Sequence, residues 1–474
     1  MSTNILTNNS TSNTYTVTST DSLGYETSAT YNAKKGTLQS AKNARGKTIT
    51  YSYNNSNDVL QSVAQEGSAV SYSHDSSFKK LLGITTSTSD YGFTYDAFGN
   101  RTKTTVGDHT LATYTYDVDS GVIQSMKYGD ENGDGDKVSY TYDKYGNVRT
   151  EKLNGKTVYE GLADKTGAIT KAIDSTNKLQ YNYVYDSTGR LISSTRTKKD
   201  TNTRVAMFEY DFDLNNNMTK FSALTPHGSN VTQYTYGADN LPELSTFSNG
   251  KKLSYVFDTV CLPKSVEINT TTPIKTEYTY FKLNDTDFKR LTDVVRTEKS
   301  GAFNYRYKYN KNYSITEILE TVTDENNVST ESVIENYTYD ALDQLTQAVD
   351  YKHNKKYVYT YDSSGNITEE KIYDISGSSE VLSKTNTYSY GDASWGDLLT
   401  AYNGQAITYD EIGNPLTYRD GITFSWSNGR RLDSYTKGDT TVEYTYDTDG
   451  MRLTKTVDGK LHTYLYEGGL LVQE

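Results

Sequence analysis

The sequence predicts an all-β protein, an antiparallel meander of hairpin repeats that coils into a spiral, a hollow shell or a large barrel. Three observations lead to this prediction. Tyrosine is unusually abundant, with 45 copies among 474 residues. A step of the form aromatic-x-aromatic-Asp recurs about every 23 residues, a period that marks repeat arrays. Hydrophobic residues make up only 34% of the chain, which suits an array that grows in one dimension without enlarging a core.

Each repeat is predicted to consist of two strands and two turns. Val138 to Tyr142 alternates apolar and polar side chains, and its β-branched and aromatic residues suit a pleated sheet. The next four residues, Asp143 to Gly146, have the composition of a tight turn, because Asp bonds its own backbone and Gly tolerates positive φ. A second strand then leads to a strong hairpin signal, Asn154 followed by Gly155. No helical stretch is predicted.

The clearest copies of the repeat contain Tyr-Asp-x-x-Gly, and these residues are predicted to be structural. They are Tyr95, Asp96 and Gly99; Tyr142, Asp143 and Gly146; Tyr185, Asp186 and Gly189; Tyr361, Asp362 and Gly365; Tyr409, Asp410 and Gly413; and Tyr446, Asp447 and Gly450. With looser copies, about 20 repeats fill residues 15–474. Copies within 200–340 are degenerate, since spacings stretch and several turns lack glycine. Residues 1–14 are expected to be a flexible N-terminal segment.

The length of the array predicts its form. About 40 strands spaced ~4.8 Å apart would make a strip ~190 Å long. An open twisted sheet rarely exceeds ~10 strands without curling, so the strip is expected to coil. Coiling would enclose more volume than the tyrosine side chains fill, and a hollow is therefore expected.

Composition excludes several classes of protein. The net charge of -12 and the lack of a basic run argue against nucleic acid as a partner. No apolar run approaches the ~18 residues of a membrane helix. The start of the chain lacks the basic and apolar regions of a signal peptide. One cysteine, Cys261, excludes an internal disulfide and a cysteine-based zinc site.

The repeat resembles the Rhs/YD repeat. The motif Tyr-x-Tyr-Asp-x-x-Gly followed by Asn or Arg, as in Phe93 to Asn100 and Tyr183 to Arg190, is similar to that of bacterial Rhs and wall-associated polymorphic toxins, the B and C components of insecticidal toxin complexes, and the teneurin YD shell. The resemblance extends over residues 15–474. It implies a secreted or cell-surface protein whose β-strip spirals into a hollow shell. In the toxin members the shell holds a C-terminal toxin, and teneurins use its outside for adhesion.

The chain departs from the toxin members near its end. Those members carry an Asp-Pro step where an aspartyl autoprotease releases the cargo, and none of the five prolines here follows Asp. No autoprotease is therefore expected. The last repeat, around Tyr466, precedes no non-repeat domain, so the chain is expected to be a piece of a longer parent. The remainder of that parent, with a toxin or effector domain, would be its partner. Leu461 to Tyr466 is then expected to be an exposed edge strand or to pair with another molecule.

One acidic loop has the spacing of half a calcium site. Oxygen ligands stand at alternate positions, at Asp130, Asn132, Asp134 and Asp136. The twelfth position holds Thr141 instead of a bidentate Glu, so a solvated hairpin loop is the favoured interpretation and calcium the weaker one. The five histidines lack metal-ligand spacing. No catalytic residue, cofactor or bound metal is predicted.

The tyrosines allow two interpretations, and each predicts a function. Rings in cross-strand ladders would hold the strip together, which explains their regular placement and is favoured. The sequence thus favours a non-enzymatic structural shell segment of a large secreted or cell-surface Rhs/YD-repeat protein, enclosing or presenting a toxin or effector domain. Exposed rings would instead stack on sugars. The alternative is accordingly a cell-surface adhesin that binds carbohydrate or protein receptors through the outer face of the shell.

Overall fold

The computed structural model describes residues 3–9, 11–21, 24–77, 79–281, 290–298, 301–324, 326 and 328–474. This part of the chain consists of strands and turns, with one 3-10 turn at Arg419–Gly421. The predicted all-β antiparallel meander is confirmed. Two compact units are present, one formed by residues 1–92 and 255–404 and the other by residues 93–254 and 405–474. No helix among the described residues has the length and apolar character needed to cross a membrane.

The strands follow one another with short turns between them. In chain order they are β1 (Thr3–Asn9), β2 (Thr14–Thr20), β3 (Glu26–Asn32), β4 (Leu38–Lys42), β5 (Thr48–Tyr53), β6 (Leu60–Gln65), β7 (Ser68–His74), β8 (Leu81–Thr85), β9 (Asp90–Tyr95), β10 (Arg101–Val106), β11 (His109–Tyr116), β12 (Ile123–Tyr128), β13 (Lys137–Tyr142), β14 (Val148–Leu153), β15 (Lys156–Ala163), β16 (Ile169–Asp174), β17 (Leu179–Tyr185), β18 (Leu191–Lys198), β19 (Arg204–Phe212), β20 (Met218–Thr225), β21 (Gly228–Tyr236), β22 (Pro242–Phe247), β23 (Lys252–Phe257), β24 (Pro263–Asn269), β25 (Ile274–Phe281), β26 (Arg290–Glu298), β27 (Gly301–Tyr309), β28 (Ile315–Thr323), β29 (Ser329–Tyr339), β30 (Leu345–Asp350), β31 (Lys355–Tyr361), β32 (Ile367–Ser376), β33 (Ser379–Ser389), β34 (Ala401–Tyr402), β35 (Gln405–Ala406), β36 (Thr417–Tyr418), β37 (Ile422–Ser427), β38 (Arg431–Lys437), β39 (Thr440–Tyr446), β40 (Arg452–Val457), β41 (Lys460–Thr463), β42 (Leu465–Glu467) and β43 (Leu470–Gln473).

Neighbouring strands pair antiparallel, and the pairing shifts by one residue at the tyrosine of four of the clear repeats. In the β13–β14 pair, Thr141 faces Thr150 but Tyr142 faces Val148. The same shift occurs at Tyr185, Tyr361 and Tyr446. Because a bulge of this kind increases the local twist, its repetition adds curvature to the strip at regular intervals.

The turns have the predicted chemistry. The Asp143 carboxylate accepts hydrogen bonds from the backbone N–H groups of Tyr145 at 2.8 Å and Asn147 at 3.0 Å. Gly146 sits at φ 88°, which only glycine adopts without strain. In the degenerate stretch the same turn position holds other residues at positive φ, namely Asn216, Asn240, Cys261 and Tyr313. The turn geometry is therefore retained there although glycine is lost. Residues 282–289, 299, 300, 325 and 327 of that stretch lie outside the described residues.

The sheet begins earlier than the sequence predicts. Residues 3–9, which fall in the expected flexible segment, form β1 and pair with β2 from Thr3–Thr20 to Asn9–Thr14. This strand carries neither the aromatic residues nor the Asp-x-x-Gly turn that identify the other repeats, so the pattern gave no sign of it.

Buried apolar packing is concentrated in the second unit. Phe208 and Ala206 are fully buried, and Ala223 packs beside them from β20. Leu465 and Val472 cover this cluster, so the hairpin β42–β43 is packed against β19 and β20.

The expected C-terminal edge strand divides into two parts. Leu461 belongs to β41, which pairs with β40, and its side chain is 60% exposed, as an edge position would be. Tyr466 belongs instead to the packed hairpin β42–β43. In this second half of the segment, β42 pairs with β43 and Leu465 packs against the buried cluster, whereas Leu470 and Leu471 of β43 are 74% and 51% exposed.

Candidate functional site

The repeat tyrosines bind the backbone of the preceding repeat. The hydroxyl of Tyr142 donates to the carbonyl of Ile123 at 2.8 Å, and that of Tyr185 to the carbonyl of Ile169 at 3.0 Å. The same bond joins Tyr116 to Arg101, Tyr236 to Met218, Tyr339 to Ile315, Tyr361 to Leu345, Tyr390 to Ile367 and Tyr446 to Leu432. Each acceptor lies at the start of the strand that follows the previous turn. We call this recurring bond the tyrosine tie.

One tie uses a different residue with the same geometry. Trp426 occupies a tyrosine position, and its indole N–H donates to the carbonyl of Pro415 at 2.7 Å. A tryptophan can therefore make the tie in place of a tyrosine, because its ring also carries a donor at the far end. Burial raises the pKa of the Tyr142 and Tyr185 hydroxyls, which keeps them protonated as donors. The ties support the structural interpretation of the tyrosines.

The second unit contains a cavity of about 590 Å³. Tyrosine rings and charged groups form its walls, with Tyr159, Tyr181, Tyr183 and Tyr185 from β15 and β17, Glu151 from β14, Arg196 from β18, Asp447 and Asp449 from the turn after β39, and Glu467 from β42. We call it the tyrosine cavity. The turn Gly468–Gly469 of the C-terminal hairpin lies along the same cavity.

Arg196 joins the cavity wall to the C-terminal hairpin. Its Nη2 lies 2.8 Å from a carboxylate oxygen of Glu467, and it also donates to the carbonyl of Tyr466. The two side chains are 11% and 9% exposed, so this ion pair is buried. The Tyr210 hydroxyl donates to the other oxygen of Glu467. Glu467 is therefore fully compensated, as a buried carboxylate must be.

Two other carboxylates of the cavity are less well compensated. Burial raises the pKa of Glu151, and the described residues give its side chain no hydrogen bond or ion pair. Burial also raises the pKa of Asp447, whose carboxylate accepts from the backbone N–H of Met451 at 2.8 Å and also interacts with the backbone N–H of Asp449. In the Asp143 turn the corresponding residue, Asn147, donates a further side-chain bond to the second oxygen of Asp143 at 3.1 Å. Met451 has no donor for this purpose.

The acidic loop of the sequence analysis makes contacts within the protein. Asp130 lies 3.5 Å from the Lys103 ammonium and accepts from the Thr110 hydroxyl at 3.2 Å. Asp136 accepts from the Gly429 backbone N–H at 3.1 Å and from the Asn154 amide at 2.7 Å. These two carboxylates thus bind different parts of the unit. Within the described residues, no three His, Cys, Asp or Glu side chains are grouped to hold a metal ion.

Sequence reasoning missed Arg196, Glu467 and Glu151. Arg196 and Glu467 are 271 residues apart. Arg196 lies outside the repeat motif, and Glu467 follows Tyr466 at the position where the clear repeats have aspartate. One local signal was available, because Met451 stands where the clear repeats Asp96, Asp143, Asp362 and Asp410 have an asparagine after the glycine. That substitution marks the one clear turn whose aspartate lines the cavity.

Comparisons with known proteins agree with the class that the repeats define. No family model matches the chain. Over 134 residues it is 35% identical to the tRNA nuclease WapA of Bacillus subtilis (strain 168), a match covering 27% of this chain and 5% of that protein. Over 77 residues it is 39% identical to the tRNA(Glu)-specific nuclease WapA of Bacillus subtilis subsp. natto, covering 15% and 3% respectively. The chain thus spans about 5% of the length of the first of these curated relatives.

Solved structures align with most of the chain, at low sequence identity and low TM-score. The crystal structure of TcdB2-TccC3 aligns with 97% of this chain and 32% of its own, at 14% identity and a TM-score of 0.34. The Photorhabdus luminescens Tc holotoxin pore aligns with 96% of this chain and 30% of its own, at 13% identity and a TM-score of 0.36. The resemblance to Rhs/YD-repeat proteins, stated above from the tyrosine–aspartate motifs, is confirmed.

Proposed function

We propose that this chain is a non-enzymatic structural shell segment of a secreted or cell-surface Rhs/YD-repeat protein, which encloses or presents a toxin or effector domain. The tyrosine tie is the observation that carries the proposal. The residues that recur most regularly in the sequence use their polar atoms on the chain's own backbone, at Tyr142, Tyr185 and Tyr361 among others. A tyrosine whose hydroxyl is bonded to a backbone carbonyl holds two repeats together, and that hydroxyl is not available for chemistry on a substrate.

The relatives support a toxin or effector as the partner. Both WapA proteins are named as tRNA nucleases. Their match to this chain covers a small part of their length, so the nuclease activity is not carried over to it. A shell segment beside a separate toxic domain accounts for both facts.

A protection experiment tests the proposal. A protease-sensitive reporter domain is fused after Glu474, and its cleavage by a nonspecific protease is followed over time. If the chain encloses the reporter, the fused reporter survives longer than the same reporter mixed with the chain as a separate molecule. Equal cleavage rates in the two arrangements would overturn enclosure. If the fused and the separate reporter are cleaved at the same rate, and the chain binds saturably to a glycan array, the adhesin alternative would be favoured instead.

A further inference from the structure

The tyrosine cavity combines aromatic walls with carboxylates that the protein leaves uncompensated. We propose that it binds the basic side chain of a polypeptide, a lysine or an arginine. The inference rests on the proposed function in one respect, since it takes the partner of the shell to be a polypeptide. It goes beyond that function by assigning a binding site and the chemistry of its ligand.

The aromatic walls suit a cation. The rings of Tyr181 and Tyr183 lie nearly parallel, with centroids 6.5 Å apart and an interplanar angle of 10°. The chain itself places a guanidinium against this wall, since the Arg196 group lies 5.3 Å from the Tyr181 ring centroid. Cations bind the faces of such rings through the ring quadrupole. Burial raises the pKa of both hydroxyls, so the rings stay neutral at physiological pH.

The charges in the cavity also call for a cation. The two arginines nearest the carboxylates are already engaged. Arg196 pairs with Glu467, and Arg431 donates to the backbone carbonyls of Asp447 and Thr448 at 3.1 Å each. Among the described residues, neither arginine forms an ion pair with Glu151 or Asp447, although Arg431 acts against the effect of burial on the pKa of Glu151. Asp449 adds a third carboxylate at the exposed rim of the cavity. A basic side chain entering the cavity would supply the missing charge.

Two observations favour an organic cation on a polypeptide over a metal ion. The described residues contain no group of three or more His, Cys, Asp or Glu side chains arranged to hold a metal ion. Arg196, which is 9% exposed, lines the cavity, and its Nε has no hydrogen-bond acceptor within the described chain. A polypeptide brings backbone carbonyls that accept from such a donor, and a metal ion does not.

The size of the site fits this ligand. A cavity of about 590 Å³ lies within the range of typical small-molecule sites, ~300–1,000 Å³. It exceeds what one arginine side chain fills, so part of the attached backbone has room beside it. The site would therefore hold a short basic segment and not an isolated ammonium ion.

The test measures peptide binding by the full chain. The probe is a fluorescein-labelled peptide of alternating glycine and arginine, and the matched control peptide carries citrulline, which is neutral and nearly isosteric, in place of each arginine. The proposal expects saturable binding of the arginine peptide, followed by fluorescence anisotropy, and much weaker binding of the citrulline peptide.

Two double variants locate the binding site. Glu151→Gln with Asp449→Asn removes two cavity charges and should weaken binding about tenfold. Asp58→Asn with Glu380→Gln removes the same charge from exposed positions, 39% and 48% exposed, and should leave binding unchanged. Circular dichroism melting curves confirm that each variant folds. Absent saturation, equal citrulline binding, or equal loss in both double variants would overturn the proposal.

The protection experiment separates this inference from the proposed function. A fused reporter without lysine or arginine that is still protected, while the arginine peptide fails to bind, would refute the cavity inference alone. Peptide binding at the cavity with an unprotected reporter would refute enclosure alone.

Discussion

The turns at Asp186 and Asp447 share a sequence motif and a backbone but differ in their electrostatics. In both, the aspartate N–H bonds the carbonyl four residues on at 2.9 Å, and the glycines sit at φ 88° and 85°. The Asp186 carboxylate accepts from the Thr188 hydroxyl and from Arg190, both at 2.7 Å, and these bonds lower its pKa far below the ordinary value. At Asp447, burial dominates and raises the pKa.

The comparison shows that the motif determines the conformation of the turn but does not determine the charge state of its aspartate. Tyr-Asp-x-x-Gly determines the turn, because Asp bonds the backbone and Gly accepts positive φ. The charge state of the aspartate depends on the residue after the glycine and on what packs against the turn. Arg190 follows Gly189, whereas Met451 follows Gly450 and the tyrosine cavity lies beside it.

The largest predicted effect concerns the cation on the cavity wall. Arg196→Met should lower the free energy of unfolding by about 3–5 kcal/mol, because Glu467 would remain buried without its partner. Urea denaturation measures this change. The matched control is Arg306→Met, whose pair with Asp293 is 47% and 20% exposed and should be worth only ~0–1 kcal/mol. Similar losses in both variants would show that the Arg196 pair is solvated.

The next prediction concerns the glycine at positive φ that both turns contain. Gly189→Val and Gly450→Val should each destabilise the protein, by roughly 1–3 kcal/mol, since valine is strained at positive φ. An added Cβ would meet nothing within 4 Å at Gly189 and only an ordinary contact with the Arg431 guanidinium, at 3.7 Å, at Gly450. Backbone strain should therefore dominate both losses, and they should be similar. Thermal melting of both variants checks this. A loss at only one position would mean that the two turns differ in backbone as well as in charge.

A smaller effect of opposite sign is expected at the two aspartates. At pH 7, Asp186→Asn should lower the melting temperature, because a charge-assisted bond to Arg190 is lost. Asp447→Asn should raise it, because a carboxylate whose pKa burial has raised is replaced by a neutral side chain that still accepts the Met451 bond. Shifts of the same sign in both variants would contradict the difference in their environments.

The pH dependence of stability should also reflect the burial of carboxylates in the tyrosine cavity. The pKa of Glu151 is raised in the folded protein, so its favourable contribution is present at low pH and is lost as pH rises through the folded pKa. Glu151→Gln should therefore melt above the parent protein at pH 7, and the difference should shrink as pH falls towards 4.5, the ordinary value for glutamate. Melting curves across this range measure it. A difference that is independent of pH would rule out the buried charge as its cause.

The smallest predicted effect concerns a single tyrosine tie. Tyr185→Phe removes the bond to the Ile169 carbonyl and should cost about 0.5–1.5 kcal/mol. Tyr351→Phe is the matched control, since that side chain is 46% exposed and the described residues give its hydroxyl no partner. The control should leave the unfolding free energy unchanged. Equal losses in the two variants would show that removal of any tyrosine hydroxyl has this effect, and that the bond to Ile169 is not its cause.

The features that could be predicted from the sequence are those that recur within each repeat. The strand alternation and the Asp-x-x-Gly turns follow from neighbours within one repeat. The turn geometry persists where glycine is replaced, as at Cys261, which sits at φ 65°. The tyrosine ties were missed, because a motif reveals that a tyrosine recurs but not which carbonyl its hydroxyl reaches.

The cavity could not be predicted for a different reason. Its walls come from β14–β18 and from the last 28 residues, and sequence spacing does not show which repeats meet after the strip has coiled. Glu467 takes the place of the aspartate in the last repeat, but the sequence does not show that Arg196 lies beside it. Only the replacement of asparagine by Met451 hinted that one turn differed from the others.

The tyrosine ties also have a direction along the chain. In each, the donor comes after its acceptor, by between 14 residues at Tyr446 and 24 at Tyr339. During synthesis, a new repeat would therefore find the carbonyl it needs already made, and no repeat would wait for a tie from a later one. Folding can follow the ribosome, with each repeat fastened as it emerges. Arg196 differs from the ties, since its partner Glu467 is translated 271 residues later, and the pair can form only when the final hairpin has been made.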